Sequence, residues 1–359
     1  MKNLVMCFDS TNDHPGPRDA TNAEALFRLL DATGDDRQTT WYDAGEAALT
    51  SVQLFNPAAR RWREAVVAAA REAVIDAYAF LAELWEPDDR IFLLGAGRGA
   101  YCARALARML GTIGMLPDRA DHVLEYALGA YALPVTRRTP RDWGQVNRLA
   151  CALSGRRDIA VPVHFLGLWD TVKVPGAPRL SADDWLGNVV TGRHAVAIDG
   201  GYGPFGECRI GGRADTIEEV WFRGTHCDIV GGPNAYWPLA DITLDWMLDG
   251  VVKAGAVIRA GGRQRTPAPT ELDALAEGAR SLRFRRVPPN ALVHASVEVY
   301  LRAHPDYWRR LPWRIVWSDL NWAARAERLL HPATAPVAKA ADSTKTAPAA
   351  ADALTAVAS

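Results

Sequence analysis

The sequence predicts an α/β fold, in which a mostly parallel β-sheet is covered on both faces by helices. Two kinds of segment alternate along the chain: short apolar runs of the length of buried strands, and longer segments with apolar residues every three or four positions. Polar residues follow the apolar runs, and in such sheets ligands bind at the carboxyl ends of the strands. The fold therefore predicts a site built from the residues that end the strands.

The first quarter of the chain contains two predicted strands with a long helix between them. Leu4–Phe8 is a continuous apolar run that stops at the polar turn 9–12, which is typical of a buried strand with an exposed end. Segment 62–84 has the periodicity of an amphipathic helix, and we expect that helix to end before Pro87. Ile91–Leu94 is the second predicted strand.

A tight turn of small residues follows this second strand. The turn, Gly95-Ala96-Gly97-Arg98-Gly99, opens a predicted helix that continues past residue 105. In α/β hydrolases a G-x-S-x-G motif holds the nucleophilic serine on a strained strand-to-helix turn of this kind, and the next backbone N–H helps to form an oxyanion hole. Gly97 occupies the serine position here, and Arg98 supplies the next N–H.

Two later strands each end beside a residue suited to acid–base chemistry. Val161–Trp169 ends at Asp170, and Glu219–Phe222 ends shortly before His226. An aspartate and then a histidine after the nucleophile is the chain order that α/β hydrolases use. Because the carboxyl ends of parallel strands share one edge, we expect these residues to lie on the same rim as the glycine turn.

Blocks of sequence along most of the chain resemble an uncharacterised α/β-hydrolase domain family that includes type VI secretion phospholipase effectors. They occur in the family's order between residue 4 and about residue 300. The resemblance implies an α/β-hydrolase-like fold with inserted loops and helices. It also implies an esterase-type site for lipid esters, in which Asp170 and His226 match the family's catalytic acid and base. The blocks are Phe8-Asp9-Ser10-Thr11-Asn12, Thr21-Asn22, Gly95–Arg104, Phe165–Val172, Arg193-His194-Ala195, Trp221–Gly232, Leu239–Ile242 and His294-Ala295-Ser296.

The chain departs from the family's pattern at two positions. The family's elbow reads G-F-S-R-G-A and this chain has Gly97 in place of the serine; the family's first turn reads D-G-T and this chain has Ser10 in place of the glycine. We expect Asp9 and Ser10 to border the oxyanion site together with Arg98. Without a hydroxyl at position 97 no acyl-enzyme can form there, so we expect the chain to be inactive or weakly active.

His194 and Trp185 are the candidates for contact with substrate. A structural hydrogen bond is the alternative for His194, because buried polar groups usually find partners inside the protein. Trp185, Trp313, Trp317 and Trp322 fit either a lipid-facing rim or ordinary core packing.

The catalytic assignments have alternatives of their own. Ser10 is either a relocated nucleophile or a turn residue that bonds to nearby backbone, which is the commoner role. Asp228 or Asp241 is an alternative to Asp170 as the group that orients the histidine. Cys227 is disfavoured as a nucleophile, because neighbours on a predicted strand point to opposite faces.

Composition limits the remaining functional classes. The chain of 359 residues has 41 basic and 42 acidic side chains, so the concentrated positive charge of a nucleic-acid-binding protein is missing. Its five cysteines form no C-x-x-C pair, and we expect reduced thiols and neither a metal nor a cofactor. The N-terminal apolar run is too short for a signal peptide or a transmembrane segment. We therefore expect a cytoplasmic protein as synthesised, with signal-peptide-independent export left open.

The domain prediction is a single α/β-hydrolase-like domain over residues 1–332 and a disordered tail over 333–359, rich in Ala, Thr and Pro. Two functions remain open at this stage. One is a lipid ester hydrolase that has lost its nucleophile. The other is a natural pseudoenzyme that binds a lipid, an acyl ligand or a partner protein through the old cleft. Transient contact with a membrane surface and binding to secretion machinery or an immunity protein are consistent with both.

Overall fold

The computed structural model describes residues 1–9, 20–30, 37–45, 58–115, 139–174, 177, 186–200, 209–210, 216–259, 262, 268–278 and 281–325. Its centre is a β-sheet with eight described strands. They are β1 (Asn3–Phe8), β2 (Gln38–Asp43), β3 (Arg90–Ala96), β4 (Val163–Trp169), β5 (Val189–Ala197), β6 (Ile217–Phe222), β7 (Leu292–His294) and β8 (Val316–Ser318).

The strands lie in the order β2-β1-β3-β4-β5-β6-β7-β8, and each pair of neighbours is parallel. The predicted α/β fold with a parallel sheet is thereby confirmed. Because all the strands run in one direction, the segments that follow them meet at one edge of the sheet. We call this edge the carboxyl rim.

Helices cover both faces of the sheet. On one face the core includes residues of α2, α3 and α4, and on the other it includes residues of α1 and α6. A third cluster joins β5 and β6 to α8. The helices are α1 (Asn22–Leu29), α2 (Ala58–Leu84), α3 (Arg98–Thr112), α4 (Pro140–Ser154), α5 (His226–Val230), α6 (Trp237–Lys253), α7 (Glu271–Leu275) and α8 (Ala295–Ala303), followed by a 3₁₀ helix (Pro305–Arg310).

The first strand illustrates why continuous apolar runs form this sheet. Every residue of β1 is buried. Alternate side chains point to opposite faces, so Leu4 and Met6 pack in the core on the α2 and α3 face while Val5 and Cys7 pack in the core on the α1 face. A strand with a helical layer on each side needs apolar residues at both parities.

The sequence prediction identified β1, β3, β4 and β6 and missed the other four strands. β2 is half-buried and reads QTTWYD, and β7 and β8 have only three residues each. β5 contains Gly192, where a Cβ would lie 2.6 Å from the carbonyl oxygen of Leu166 on the neighbouring strand. These strands lack the long apolar run on which the prediction relied.

Two expectations concern the ends and the surface of the chain. Residues 326–359 lie outside the described part, so the boundary at residue 332 and the disordered tail stay predictions. Within the described ranges, no helix has both the length and the apolar character that crossing a bilayer requires.

Candidate active site

The glycine turn between β3 and α3 has the backbone shape of a nucleophile elbow. Gly97 has φ 55° and ψ −110°, a region that residues with a side chain rarely adopt. A Cβ at Gly95 would lie 2.6 Å from the Cα of Ala100, and a Cβ at Gly99 would lie 2.2 Å from the carbonyl oxygen of Phe8. The flanking glycines are therefore required by the close approach of α3 to β3 and β1.

Backbone hydrogen bonds tie the elbow to the loop after β4. The N–H of Gly97 donates to the carbonyl of Trp169 at 2.8 Å, and the N–H of Val172 donates to the carbonyl of Gly97 at 3.1 Å. Asp170 lies between these two contacts and has a positive φ of 41°. The sharp turn at Asp170 is consequently held next to the position where a nucleophile would stand.

Three groups surround the Asp170 carboxylate, which is fully buried. Its Oδ2 accepts a hydrogen bond from Nδ1 of His226 at 2.7 Å, and its Oδ1 accepts one from the N–H of Ala197 at 3.1 Å. The guanidinium of Arg285 donates to both oxygens, at 2.6 and 2.8 Å. Burial by itself raises the pKa of a carboxyl, but Arg285 and His226 together hold the pKa of Asp170 well below its ordinary value.

Sequence reasoning missed Arg285. It lies 115 residues after Asp170 in the chain and belongs to none of the blocks that resemble the family. No motif spacing marks it, so only the folded structure reveals it.

His226 is the first residue of α5, and its side chain is 24% exposed. Asp228 instead accepts from the N–H and hydroxyl of Thr225 at 2.7 and 2.8 Å, which ties the start of the helix. Of the carboxylates weighed from the sequence, Asp170 accepts a hydrogen bond from the imidazole of His226. The expectation that Cys227 and His226 are strand neighbours is wrong, because both belong to α5; burial raises the pKa of the Cys227 thiol.

The family block Thr21-Asn22 clamps the far end of α5. Nδ2 of Asn22 donates to the carbonyls of Ile229 and Ala240, at 2.9 and 3.0 Å, and lies 2.9 Å from Oγ1 of Thr243. A Cβ at Gly231 would lie 2.8 Å from the backbone nitrogen of Asn22. The short helix that carries His226 is thereby fixed by the first residue of α1.

Asp9 ends β1 on the carboxyl rim and is buried. Its Oδ2 accepts hydrogen bonds from the hydroxyls of Thr21 and Tyr42, at 2.6 and 2.8 Å. Asp9 thus ties the end of β1 to β2 and to the start of α1, and Arg98 is the first residue of α3. Ser10 lies outside the described residues.

A cavity of about 300 Å³ adjoins the elbow and is lined in part by Asp9, Arg98 and Gly99. The rest of its wall comes from the end of β2, from α2 and from Cys102 and Val174, with apolar residues of α2 such as Val66 and Ala70. A larger cavity of about 750 Å³ is lined by residues that begin β5, β6 and β7, at the opposite edge of the sheet. Neither cavity is lined by Gly97, Asp170 or His226.

The imidazole of His194 is 1% exposed and uses both ring nitrogens inside the protein. Nδ1 lies 3.1 Å from Oε2 of Glu219, and Nε2 lies 3.1 Å from Oγ1 of Thr171, the residue after the candidate acid. Burial by itself raises the pKa of Glu219, but His194, the N–H of Ile210 and the charge of Arg209 together lower it to about 2. This geometry matches the alternative of a structural hydrogen bond and does not place His194 against the cavity.

The candidate aromatic rim is not assembled by the described residues. Trp185 lies outside them. Trp322 is buried, whereas Trp313 is 85% exposed but precedes β8 and so lies toward the amino edge of the sheet. In the described ranges no cluster of three or more His, Cys, Asp or Glu side chains is arranged to hold a metal ion.

A family model described as "T6SS, Phospholipase effector Tle1-like, catalytic domain" matches residues 2–250. The chain belongs to this Tle1-like family. The resemblance drawn from the sequence blocks is therefore confirmed. The match ends before β7, so Arg285 and the last two strands of this Tle1-like chain lie beyond the part that the family model describes.

The Tle1-like chain is similar to three proteins at lower levels. An uncharacterised protein of Saccharomyces cerevisiae is 29% identical over 217 residues, which cover 57% of this chain and 32% of the yeast protein. The crystal structure of an uncharacterised protein from Pseudomonas aeruginosa has a TM-score of 0.44 and 16% identity, and covers 86% of this chain and 53% of that one.

A Tle1 effector bound to the VgrG spike of the type 6 secretion system has a TM-score of 0.32 and 16% identity, with coverage of 64% of this chain and 51% of the effector. The Tle1-like chain thus spans about half the length of these solved chains, or a third in the case of the yeast protein.

Proposed function

We propose that this chain is a serine-hydrolase-type domain for lipid esters in which Gly97 has replaced the nucleophile. One observation carries the proposal: a partly exposed histidine is hydrogen-bonded at 2.7 Å to a buried aspartate, and the loop that carries this aspartate is bound through its backbone to a glycine with the dihedral angles of a nucleophile elbow. Loss of the serine leaves the acid, the base and the turn in place. The chain as written is therefore inactive or weakly active.

The chemistry follows from the roles of these groups once a serine stands at position 97. His226 takes the Oγ proton, and Oγ attacks the ester carbonyl to form a tetrahedral intermediate. The N–H of Arg98, at the start of α3, faces the developing oxyanion. The ester C–O bond then breaks, the alcohol leaves with the proton from His226, and water releases the acid by the same steps.

Asp170 has a positioning role in this scheme. Its hydrogen bond to Nδ1 keeps that nitrogen protonated, so Nε2 is the ring nitrogen that accepts the serine proton. Without Oγ the histidine can act only on water, which lacks the positioning that a covalent nucleophile provides. In a serine protease, loss of the nucleophile lowers kcat by about 10⁶.

The Tle1-like family supports phospholipids as the substrate class. Apolar residues of α2 in the cavity beside the elbow suit acyl chains, whereas its charged residues are one arginine, Arg98, and four carboxylates, Asp9, Asp43, Glu72 and Asp76. Carboxylates do not favour an anionic phosphate, so the cavity supports the acyl part of the substrate and not its headgroup. Transient contact with a membrane surface is part of this proposal.

The test is to restore the hydroxyl. We expect Gly97→Ser to hydrolyse fluorogenic acyl esters and phospholipid vesicles at least about 10³ times faster than the parent chain. Gly97→Ala is the matched control, since it brings the same strain at a positive φ without the hydroxyl, and it should stay at the parent's rate. A folded Gly97→Ser protein that hydrolyses neither substrate would contradict the hydrolase proposal.

The alternative is a pseudoenzyme that binds its ligand without turnover. The absence of a side chain at Gly97, within a site whose acid and base are retained, favours it. It predicts that acyl lipids raise the Tm of the parent chain while no product forms. If the Tm is the same with and without lipid and the Gly97→Ser variant hydrolyses esters, the pseudoenzyme alternative is wrong and the hydrolase proposal stands.

Delivery by a type VI secretion machine is the proposal for export, supported by the family's description. The partner would be a spike protein of that machine, or an immunity protein in the producing cell. Co-purification of the full chain with a purified spike protein checks the first of these, and absence of a complex at micromolar concentrations would count against it.

A further inference from the structure

The carboxylate of Asp170 lies in a setting that would ordinarily neutralise it. It is 0% exposed, and two of the groups bound to it are the Ala197 N–H and the imidazole of His226. When the imidazole is neutral, as a general base must be, neither group carries a charge. Burial without a compensating charge favours the protonated carboxyl. If His226 is to act as a neutral base, the ionised Asp170 therefore needs a positive charge from another group.

Arg285 supplies that charge with a fork-shaped contact. Nη1 and Nη2 lie 2.6 and 2.8 Å from the two oxygens of Asp170, and the side chain of Arg285 is itself 3% exposed. Two parallel hydrogen bonds fix the plane of the carboxylate as well as its charge. Oδ2 keeps the contact to His226 while it is held by Nη2.

The backbone around Arg285 is registered against the end of β5. The N–H of Arg285 donates to the carbonyl of Ile198 at 2.8 Å, and the carbonyl of Arg283 accepts from the N–H of Gly200 at 2.9 Å. Arg310 binds both Asp199 and the carbonyl of Ser281, so it ties the same segment from outside. These hydrogen bonds fix the backbone at Arg285, so the fold places its guanidinium beside Asp170.

We propose that Arg285 is a positioning residue of this site: its fixed charge keeps Asp170 ionised and its forked contact aims the carboxylate at His226. The kinetic consequence rests on the hydrolase function proposed above, whereas the electrostatic role does not. A protonated Asp170 would donate to Nδ1 of His226 and leave the proton on Nε2. The histidine would then be unable to accept a proton from a nucleophile.

The first experiment needs no activity. Titration of the Asp170 carboxyl by ¹³C NMR in aspartate-labelled protein, assigned with Asp170→Asn, compares the parent chain with Arg285→Gln. Among the described residues, His226 and the Cys227 thiol also act on this carboxyl. We expect Arg285→Gln to move the pKa of Asp170 from well below to above the ordinary aspartate value of about 3.9. A pKa that stays below that value in the variant overturns the proposal.

The second experiment measures catalysis in the Gly97→Ser background. Arg285→Gln should lower kcat by about 10²–10⁴ with little change in KM, as expected when the base has the wrong tautomer. The loss should shrink as pH rises and Asp170 ionises. Arg285→Lys keeps the charge and should recover most of kcat. A loss that is independent of pH, or equal for Gln and Lys, contradicts the proposed role.

Arg310→Gln is the matched control, since Arg310 anchors the same segment through Asp199 without contacting Asp170. It should lower the Tm and leave the acidic limb of the pH–rate profile in place. If Gly97→Ser is inert on every ester, the proposed function fails, and the carboxyl titration still decides the role of Arg285.

A third comparison covers the case in which Arg285→Gln does not fold. Removing the charge that Arg285 balances should restore folding, so the double variant with Asp170→Asn should have a higher Tm than Arg285→Gln alone. If the double variant is no more stable than the single one, Arg285 serves general packing and the proposal is overturned.

Discussion

His226 and His294 occupy similar chemical settings at different depths in the molecule. Each imidazole is hydrogen-bonded to an aspartate that also binds an arginine. The aspartate and arginine are Asp170 and Arg285 for His226, and Asp319 and Arg325 for His294. The side chain of His226 is 24% exposed, and that of His294 is 0% exposed. Both regions therefore contain a histidine–carboxylate pair, but of the two histidines it is His226 that is exposed enough to reach a substrate.

The His294 cluster contains a serine, whereas the elbow has a glycine at position 97. Oγ of Ser296 lies 2.8 Å from Nδ1 of His294, and Nε2 lies 3.1 Å from Oδ2 of Asp319. Phe222 stacks on the ring at 4.5 Å between centroids, and Trp322 packs at 5.7 Å. Serine, histidine and aspartate thus form a hydrogen-bonded chain inside the core.

The difference lies in what the histidine does for the fold. Nδ1 of His294 also accepts from the N–H of Ser296 at 3.2 Å, so this imidazole caps the start of α8. At the rim, by contrast, the N–H and hydroxyl of Thr225 bind Asp228 at the start of α5, and the imidazole of His226 is bound to Asp170. A hydrogen-bonded arrangement of serine, histidine and aspartate therefore indicates a catalytic site only where the imidazole does not already serve as a helix cap.

The largest expected contrast is catalytic. In the Gly97→Ser background, His226→Ala should lower kcat/KM by about 10⁴–10⁶, because it removes the base. Ser296→Ala should leave kcat/KM within about twofold, since its hydroxyl is buried away from the rim. Steady-state hydrolysis of one acyl ester by the three proteins measures both effects.

A loss of activity on substitution of Ser296 would indicate that the active site lies in the core. If Ser296→Ala removed the activity of the parent chain or of the serine variant while the fold was intact by circular dichroism, the buried cluster would be catalytic and the comparison would fail.

For stability, we expect the substitution in the core to have a larger effect than the substitution at the rim. His294→Ala leaves a cavity between Phe222 and Trp322 and removes a partner from Ser296 and Asp319, so we expect it to lower the free energy of unfolding by about 3–5 kcal/mol. His226→Ala should cost about 1–2 kcal/mol, since Asp170 keeps its contacts with Arg285. Urea unfolding at pH 7.5 gives both values, and similar costs would show that His226 is as structural as His294.

The smallest effect is a pH dependence. Burial lowers the pKa of His294 despite the opposing effect of Asp319, and Arg325 and Asp245 also act on this ring. The unfolded chain therefore binds the proton more readily, so stability is full above about pH 6.5 and is lost as pH falls below it.

We expect the parent chain to lose more of its free energy of unfolding than His294→Gln between pH 7.5 and 5.5, with urea unfolding as the measurement. The variant keeps the other histidines, so the difference isolates His294. Equal losses in the two proteins would mean that the buried ring does not drive the pH dependence.

Long apolar runs and the glycine turn carried the successful part of the sequence prediction. Strands β1, β3 and β4 are largely apolar because both of their faces are covered, and β6 ends in an apolar run; that property is visible in a short window of sequence. Strands β7 and β8 are three residues long and pair only through tertiary context. Local periodicity carries little information about strands of that length.

For the site, the chain by itself determined which residue types follow each strand: a glycine where a serine is expected, an aspartate after β4 and a histidine after β6. Only the tertiary structure decided which carboxylate meets the imidazole and which arginine neutralises that carboxylate. Arg285 lies 115 residues from Asp170, and a contact over that distance depends on the register of β5 with the segment after it. Local patterns record burial and turns, whereas a buried charge finds its partner only once the sheet has brought distant segments together.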